Sequence, residues 1–179
     1  MIETSSSILV VVDFQGKLAR IVHESEAVIN NARILVEGMN ILGVPIIATE
    51  QYPQGLGHTV PELAEVYGEI PVIEKDTFSC CGDPVFMEEV NRLGRRNIIL
   101  CGIETHVCVY QTAQDLIENG FDVHIVTDAV SSRTEANKHM GIRKMESLGG
   151  IPTGTEMVLF ELLKVSGTEK FKAVSKLVK

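Results

Sequence analysis

The sequence has little of what marks several large classes of protein. It contains four cysteines, six prolines and no tryptophan in 179 residues. Four unevenly spaced cysteines without a C-x-x-C pair do not fit a disulfide framework or a structural zinc site, so we expect reduced thiols. No Pro-, Ser- or Gly-rich stretch is long enough to serve as a linker, and we predict one domain over residues 1–179.

Basic charge and long apolar runs are also scarce. The formal net charge is -8 and no Lys/Arg cluster offsets it, which opposes binding to phosphate backbones. The longest apolar runs, such as 8–12 and 98–101, are far too short for a membrane span, and the acidic N-terminal segment lacks the basic start of a signal peptide. We therefore expect no nucleic-acid partner, no membrane association and a location in the cytoplasm.

Short apolar runs recur along the chain and predict a buried parallel sheet. The run Ile8–Val12 is continuous and rich in β-branched residues, which is typical of a strand covered on both faces. Similar runs bring the number of predicted strands to about six, the others lying at 44–48, 71–73, 97–103, 123–127 and 150–152.

Helical patterns separate these strands. Glycines at 43, 94 and 120 follow helical stretches and precede strands, where a left-handed cap is favoured. The alternation predicts an α/β fold, a doubly wound, Rossmann-like three-layer α/β/α sandwich around a parallel sheet. The segment 50–70 lacks clear periodicity and is predicted to be a long functional loop. The predicted helices are 27–42, 84–93, 107–119, 135–148 and 156–164.

Nucleotide-binding motifs are missing from the first strand-to-helix turn. A dinucleotide site needs G-x-G-x-x-G at this point, but Asp13–Lys17 contains one glycine, and no Walker A loop occurs in the chain. We predict no cofactor. A receiver-type phosphoacceptor at Asp13 is an alternative, although its lysine is expected after a later strand than the third.

Three reactive side chains follow strands that we predict to be central: Asp13, Lys75 and Cys108. In open α/β sheets, ligands bind outside the carboxyl ends of the strands. Lys75 and the N-terminus of the helix from about 107 would lower the pKa of the Cys108 thiol. Asp13 would take the thiol proton, and the N–H groups of Val107 and Cys108 would hold an oxyanion. Each residue alone has a structural explanation, as core cysteine, helix cap or solvated charge, so their joint placement indicates the site.

Four segments carry a resemblance to a known family. They are Val12–Gln15, Glu74–Ser79, Cys101–Val109 and Gly154–Leu163. In order and over nearly the whole chain they resemble the isochorismatase-like cysteine hydrolases. Thr49–Gly57 further resembles the subgroup called isochorismatase domain-containing proteins, whose physiological substrates are generally unassigned.

The resemblance implies both a fold and a reaction. It implies a six-stranded parallel sheet, a catalytic triad of Asp13, Lys75 and Cys108, and a cis peptide near Ile103 and Glu104 that shapes the oxyanion hole. It also implies a hydrolase that cleaves the C–N bond of a small amide, carbamoyl or ureido substrate through a Cys108 thioester. Members form dimers or larger assemblies, so we expect a homo-oligomer.

One difference from the family pattern concerns metal binding. Nicotinamidases of this family carry an Asp-x-His metal segment after the second strand, and the matching stretch here is Gln51–Pro53. A single nearby histidine, His58, does not make a metal site, and a solvated loop residue is the simpler interpretation. We therefore predict no catalytic metal.

Other residues are weaker candidates, and other functions stay open. Cys80 or Cys81 is a candidate redox partner of Cys108, although a structural role is the simpler interpretation. The alternatives to the hydrolase are a noncatalytic binding or assembly protein that retains the fold, an isochorismatase-type activity and a thiol redox function. The candidate substrate contacts are Gln15, Tyr52, Phe78, Glu104 and His106.

Overall fold

A six-stranded parallel sheet forms the middle layer of the computed structural model, which describes residues 2–179. All neighbouring strands pair in parallel. The strands are β1 Ser7–Val12, β2 Ile46–Gln51, β3 Val72–Lys75, β4 Asn97–Ile103, β5 Asp122–Ser131 and β6 Ile151–Thr153. Their order across the sheet is β3-β2-β1-β4-β5-β6. The direction of winding therefore reverses between β1 and β4, where ligands bind in folds of this kind.

Side chains of the central strand β1 alternate between two apolar clusters. Ile8, Val10 and Val12 belong to one cluster, whereas Leu9 and Val11 belong to the other. This alternation follows from the two-residue repeat of a strand, and burial of both faces explains the continuous apolar run.

Helices cover both faces of the sheet. One cluster is completed by side chains of α2 Ser25–Leu42, α4 Pro61–Tyr67, α8 Thr155–Leu163 and α9 Glu169–Leu177. The other is completed by α5 Pro84–Leu93, α6 Tyr110–Glu118 and α7 Glu135–Ser147. The remaining elements are the short helices α1 Leu18–Ile21 and α3 Pro53–Leu56, a 3-10 turn at Cys80–Gly82 and a π-helical turn at Thr105–Val109.

The predicted fold class is confirmed. Element boundaries were predicted well where capping residues mark them in the sequence. Helix α5 begins and ends at the predicted residues because the Asp83 side chain accepts hydrogen bonds from the first turn and Gly94 adopts a left-handed cap. The prediction of a long loop at 50–70 is wrong, because this segment contains α3 and α4, which start at Pro53 and Pro61. Helix α9 was not predicted.

Two glycines allow the close approaches that bring the site together. Gly102 in β4 has φ 145, and a Cβ there would collide with the carbonyl oxygen of Val12 in β1. A Cβ on Gly141 in α7 would lie 2.7 Å from the carbonyl oxygen of Thr105. Glycine at these positions therefore lets β4 pack closely on β1, and α7 on the turn that carries Cys108.

Candidate active site

Asp13 directly follows β1 and is held through both of its carboxylate oxygens. Its backbone is in the left-handed region, with φ 53, which aspartate tolerates better than most residues. Oδ1 accepts a hydrogen bond from Thr49 Oγ1 at 2.6 Å, and Oδ2 accepts one from Lys75 Nζ at 2.8 Å. The residue is 2% exposed. The carboxylate is thus buried, paired and fixed in orientation.

Lys75 is the last residue of β3, and its ammonium is surrounded by acceptors. Strand register places it beside Gln51, the last residue of β2. Nζ donates to Asp13 Oδ2 and to Gln51 Oε1, each at 2.8 Å. The carbonyl oxygens of Thr77 and Phe78 lie further away, at 3.2 and 3.3 Å. Two short contacts therefore define the position of the charge.

The charges around Lys75 keep it protonated. Burial alone lowers the pKa of this lysine, but the acidic groups of Cys80, Asp13 and Cys108 outweigh it and the pKa is raised. A buried ammonium paired with one carboxylate is consistent with this direction. Lys75 therefore acts as a fixed positive charge and not as a base.

Cys108 lies in the π-helical turn that follows β4, just after a cis peptide bond between Ile103 and Glu104. Its side chain is largely buried, and burial raises the pKa of the thiol to about 12. The negative charge of Asp13 adds to the increase, whereas Lys75 opposes it. The expectation of a lowered pKa is therefore wrong, because burial and Asp13 together outweigh the cation. The free protein carries a protonated thiol at neutral pH.

The cis peptide bond expected between Ile103 and Glu104 is present, but one of the two amides expected to hold an oxyanion is engaged elsewhere. The N–H of Val107 donates to the carbonyl oxygen of Glu104 at 3.0 Å, so this amide is occupied within the turn. The Glu104 carboxylate accepts from the backbone N–H and the Nε of Arg133, at 3.1 and 3.0 Å. It thereby ties the turn to the segment after β5. We retain the N–H of Cys108 as the candidate oxyanion donor.

Gln15 has a structural role, and its contact with a substrate stays a prediction. It is fully buried. Its Nε2 donates to the carbonyl oxygens of Gln51 and Gly57 at 3.1 and 2.7 Å, and its Oε1 accepts from the backbone N–H of Gln51 at 2.6 Å. Both ends of the amide are therefore used to hold the segment after β2.

The other predicted contacts differ in exposure. Tyr52 and Phe78 are 54% and 56% exposed, and they follow the strands β2 and β3 that deliver Gln51 and Lys75. His106 is partly buried, with Nδ1 2.9 Å from Ser132 Oγ. Substrate binding by Tyr52, Phe78 and His106 stays a prediction.

His58 is exposed and pairs with a carboxylate in the protein. Its Nδ1 lies 2.9 Å from Glu50 Oε2, while Glu50 Oε1 accepts from the N–H and Oγ1 of Thr59 at 2.6 and 2.7 Å. The hydrogen bond to Glu50 raises the pKa of His58. No group of three or more His, Cys, Asp or Glu side chains suited to a metal occurs within residues 2–179. The absence of a catalytic metal stays a prediction.

Three further residues lie at the site: Thr49 and Gln51, to which the sequence analysis assigned no catalytic role, and Cys80, which it considered as a redox partner of Cys108. Cys80 is fully buried, with Sγ 3.8 Å from Thr49 Oγ1, and burial raises the pKa of its thiol to about 11 against the effect of Lys75. The parallel register gives a signal for Thr49 and Gln51, because Thr49 pairs with Val12 and Gln51 with Lys75.

Comparison with known proteins identifies the family of this chain. The family model described as "Isochorismatase domain" matches residues 7–157. The chain belongs to the isochorismatase family. It is 38% identical over 178 residues to the secreted isochorismatase effector Isc1 of Phytophthora sojae, with 97% of this chain and 85% of that protein covered. The prediction of one domain over residues 1–179 stays a prediction, since the match ends at 157.

Two solved structures are similar over nearly the full length of this family member. A structure of MAR1 ribonuclease from Caenorhabditis elegans has a TM-score of 0.93 and 42% identity, covering 99% of this chain and 91% of that one. The YcaC gene product of Escherichia coli, described as an octameric hydrolase of unknown specificity, has a TM-score of 0.93 and 27% identity, covering 98% and 88%. The family and these neighbours identify a hydrolase fold.

Proposed function

We propose that this protein is a cysteine-dependent hydrolase that cleaves the C–N bond of a small amide, carbamoyl or ureido substrate through a thioester on Cys108. One observation supports the proposal: the buried Asp13 carboxylate is fixed by Thr49 at 2.6 Å and by Lys75 at 2.8 Å, and the charges of Asp13 and Lys75 both influence the pKa of the Cys108 thiol. A nucleophile, a base and a cation in one buried cluster fit acyl transfer.

The first half of the reaction forms the thioester. Cys108 Sγ attacks the substrate carbonyl carbon while its proton passes to Asp13, so that charge develops on sulfur only as the new bond forms. The Cys108 N–H and the Lys75 ammonium stabilise the negative charge of the tetrahedral intermediate. Asp13 then returns the proton to the leaving nitrogen, the C–N bond breaks and the amine departs.

The second half of the reaction releases the acid. A water molecule attacks the thioester carbonyl carbon, and Asp13 accepts the water proton. The C–S bond then breaks, the thiolate takes the proton from Asp13 and the carboxylic acid product leaves. Asp13 thus carries one proton in each half-reaction. The raised pKa of Cys108 suits this scheme, because the enzyme does not hold a free thiolate between turnovers.

The test is a screen of small amides, carbamoyl compounds, ureido acids and esters with the native protein and Cys108→Ala. We expect turnover of one substrate class, and a loss on the order of 10⁶-fold in Cys108→Ala, as when a nucleophile is removed. Cys101→Ala is the matched control and should retain activity. A covalent acyl adduct on Cys108, detected by mass spectrometry after acid quench, supports the thioester. Full activity in Cys108→Ala contradicts the proposal.

RNA belongs in the same screen, because the relative from Caenorhabditis elegans is named as a ribonuclease. We keep a small molecule as the substrate and exclude nucleic acid from the proposal, since a net charge of -8 opposes binding to a polyanion. The clustered Asp13, Lys75 and Cys108 side chains favour an enzyme over a noncatalytic assembly protein. Salt-sensitive RNA cleavage that is lost in Cys108→Ala would replace the amide substrate with RNA.

We further propose a homo-oligomer, which the octameric relative from Escherichia coli supports. Several large apolar side chains lie exposed on the isolated chain, among them Ile21, Met140, Met157 and Val165. Light scattering at micromolar concentration should give a particle several times the 19.6 kDa of one chain. A single 19.6 kDa species across this range would contradict it.

The proposed location is the cytoplasm. Four free cysteines, without a disulfide among residues 2–179, fit a reducing compartment. Among the same residues, none of the helices has the length and apolar character needed to cross a bilayer. The relative from Phytophthora sojae is named as secreted, so fractionation of the source cells with an antibody is the direct test. Recovery only outside the cells would contradict the proposed location.

A further inference from the structure

The Lys75 ammonium has two close side-chain acceptors, one charged and one neutral, besides the more distant carbonyl oxygens of Thr77 and Phe78. The charged acceptor is Asp13 Oδ2 and the neutral one is Gln51 Oε1, both at 2.8 Å. Gln51 is 8% exposed, so its amide meets Lys75 out of contact with bulk water. A buried cation needs several acceptors, and both carboxylates and amides can supply them. The choice of an amide at position 51 therefore affects the charge of the cluster.

The orientation of the Gln51 amide is determined by its other contacts. Its Nε2 donates to the carbonyl oxygen of Asp76 at 2.8 Å, which directs Oε1 toward Lys75. Gln15 accepts from the N–H of Gln51 at 2.6 Å and donates to its carbonyl oxygen at 3.1 Å. Main chain and side chain of Gln51 are thus held at four points, and the amide cannot rotate without losing hydrogen bonds.

The net charge of this cluster follows from that arrangement. Asp13 and Lys75 cancel, so the cluster next to Cys108 is neutral before the reaction. A carboxylate at position 51 would make it negative, and negative charge close to a thiol disfavours the anion that must form on sulfur. An amide also accepts a hydrogen bond from the ammonium, and it does so without this effect.

We propose that Gln51 is a positioning residue, a neutral acceptor that fixes Lys75 beside Asp13 without adding negative charge near the attacking thiol. The inference rests on the proposed function, since it assigns Lys75 the task of stabilising charge on Cys108. It also explains the role of Gln15, which holds the main chain of Gln51 so that the side-chain amide of Gln51 reaches Lys75.

Two variants of Gln51 distinguish the effect of its lack of charge from the effect of its hydrogen bond with Lys75. Gln51→Glu has nearly the same shape, keeps an acceptor for Lys75 and adds one negative charge, whereas Gln51→Met has a similar length and removes the acceptor without adding charge. Both lose the hydrogen bond to Asp76, so they share that structural defect. The rate of Cys108 alkylation by iodoacetamide at pH 8, followed by mass spectrometry, measures the thiolate available.

We expect Gln51→Glu to slow alkylation by about tenfold, which is one unit of thiol pKa, and Gln51→Met to slow it less. Gln54→Glu is the charge-matched control, because it adds the same charge on the exposed surface of α3, and it should leave the rate unchanged. Gln51→Glu combined with Asp13→Asn keeps one carboxylate and one amide on Lys75 and should restore at least the native rate. Thermal melts verify that each variant is folded.

The outcomes distinguish this inference from the proposed function. Equal rates in Gln51→Glu and Gln51→Met, or a native rate in Gln51→Glu, would overturn the role of the neutral acceptor. A slowed rate in Lys75→Met together with a native rate in Gln51→Glu would overturn the inference alone. If Lys75→Met itself leaves the rate unchanged, Lys75 does not act on the thiol, and both the inference and the proposed mechanism fail.

Discussion

Cys101 and Cys108 lie on either side of the end of β4, and they differ in their neighbours more than in their burial. Cys101 is fully buried in an apolar cluster, and Cys108 is 7% exposed. Burial raises the pKa of both thiols. Cys108 is also acted on by Asp13 and Lys75, a carboxylate and an ammonium held in one ion pair. Burial makes a thiol unreactive, and the adjacent base and cation distinguish the candidate nucleophile.

Removal of Lys75 is expected to have the largest effect on both the stability of the protein and the reactivity of Cys108. Lys75→Met leaves Asp13 as a buried carboxylate without its cation and should destabilise the fold by about 3–5 kcal/mol. It should also slow alkylation of Cys108 and leave Cys101 protected. Denaturant unfolding and alkylation mapping measure the two effects. The control is Arg20→Met, which breaks the exposed pair with Glu62. It should lower the free energy of unfolding by at most about 1 kcal/mol. An equal loss of stability in both variants would argue against a special role of the buried pair.

The pH dependence of alkylation tests whether the Cys108 thiol is protonated. Its pKa is about 12, so between pH 7 and 9 the thiolate fraction should rise about tenfold for each pH unit. We expect the alkylation rate of Cys108 to follow it without a plateau, while Cys101 stays unmodified until the protein unfolds. Stopped-flow or quenched labelling at constant ionic strength gives the profile. A plateau in the alkylation rate below pH 8 would mean that the Cys108 thiol is already ionised there, and would contradict the raised pKa.

Asp13→Asn should separate the two roles of the carboxylate, with a smaller effect on labelling. The charge of Asp13 raises the pKa of Cys108, so its removal should speed alkylation, on the order of tenfold for one pKa unit. The same variant should lose hydrolysis, because no base remains to carry the proton. Labelling rate and turnover are measured on one preparation. Slower labelling in Asp13→Asn would show that the carboxylate favours the thiolate instead.

Regular features of the sequence were sufficient to predict the sheet, and they singled out two residues that are in contact in the structure. Continuous apolar runs predicted the strands, and β4 begins at Asn97 and ends at Ile103 as expected. Reactive residues placed after predicted strands led to Asp13 and Lys75, which are in contact in the structure. The strand before Lys75 was predicted to be central, and this is wrong, because β3 lies at one edge of the sheet. This reasoning succeeds because parallel strands end at one edge of the sheet.

Other properties of the site depend on contacts that no local pattern encodes. The pKa of Cys108 was predicted in the wrong direction because the degree of burial was unknown. Gln15 was assigned to substrate because its partners lie on the segment from Gln51 to Gly57, whose path could not be derived from periodicity. Val107 was assigned to the oxyanion hole because a π-helical turn, in which its amide is occupied, has no recognisable sequence signal.

The enclosure of the Asp13–Lys75 pair also determines how the site responds to its surroundings. Dissolved salt screens charges over about 10 Å at 0.1 M, but only where ions can approach them. The two side chains are 3% and 0% exposed, so mobile ions do not come between them or between Lys75 and the thiol. The attraction between Asp13 and Lys75 is therefore expected to depend far less on salt concentration than that of the exposed ion pairs.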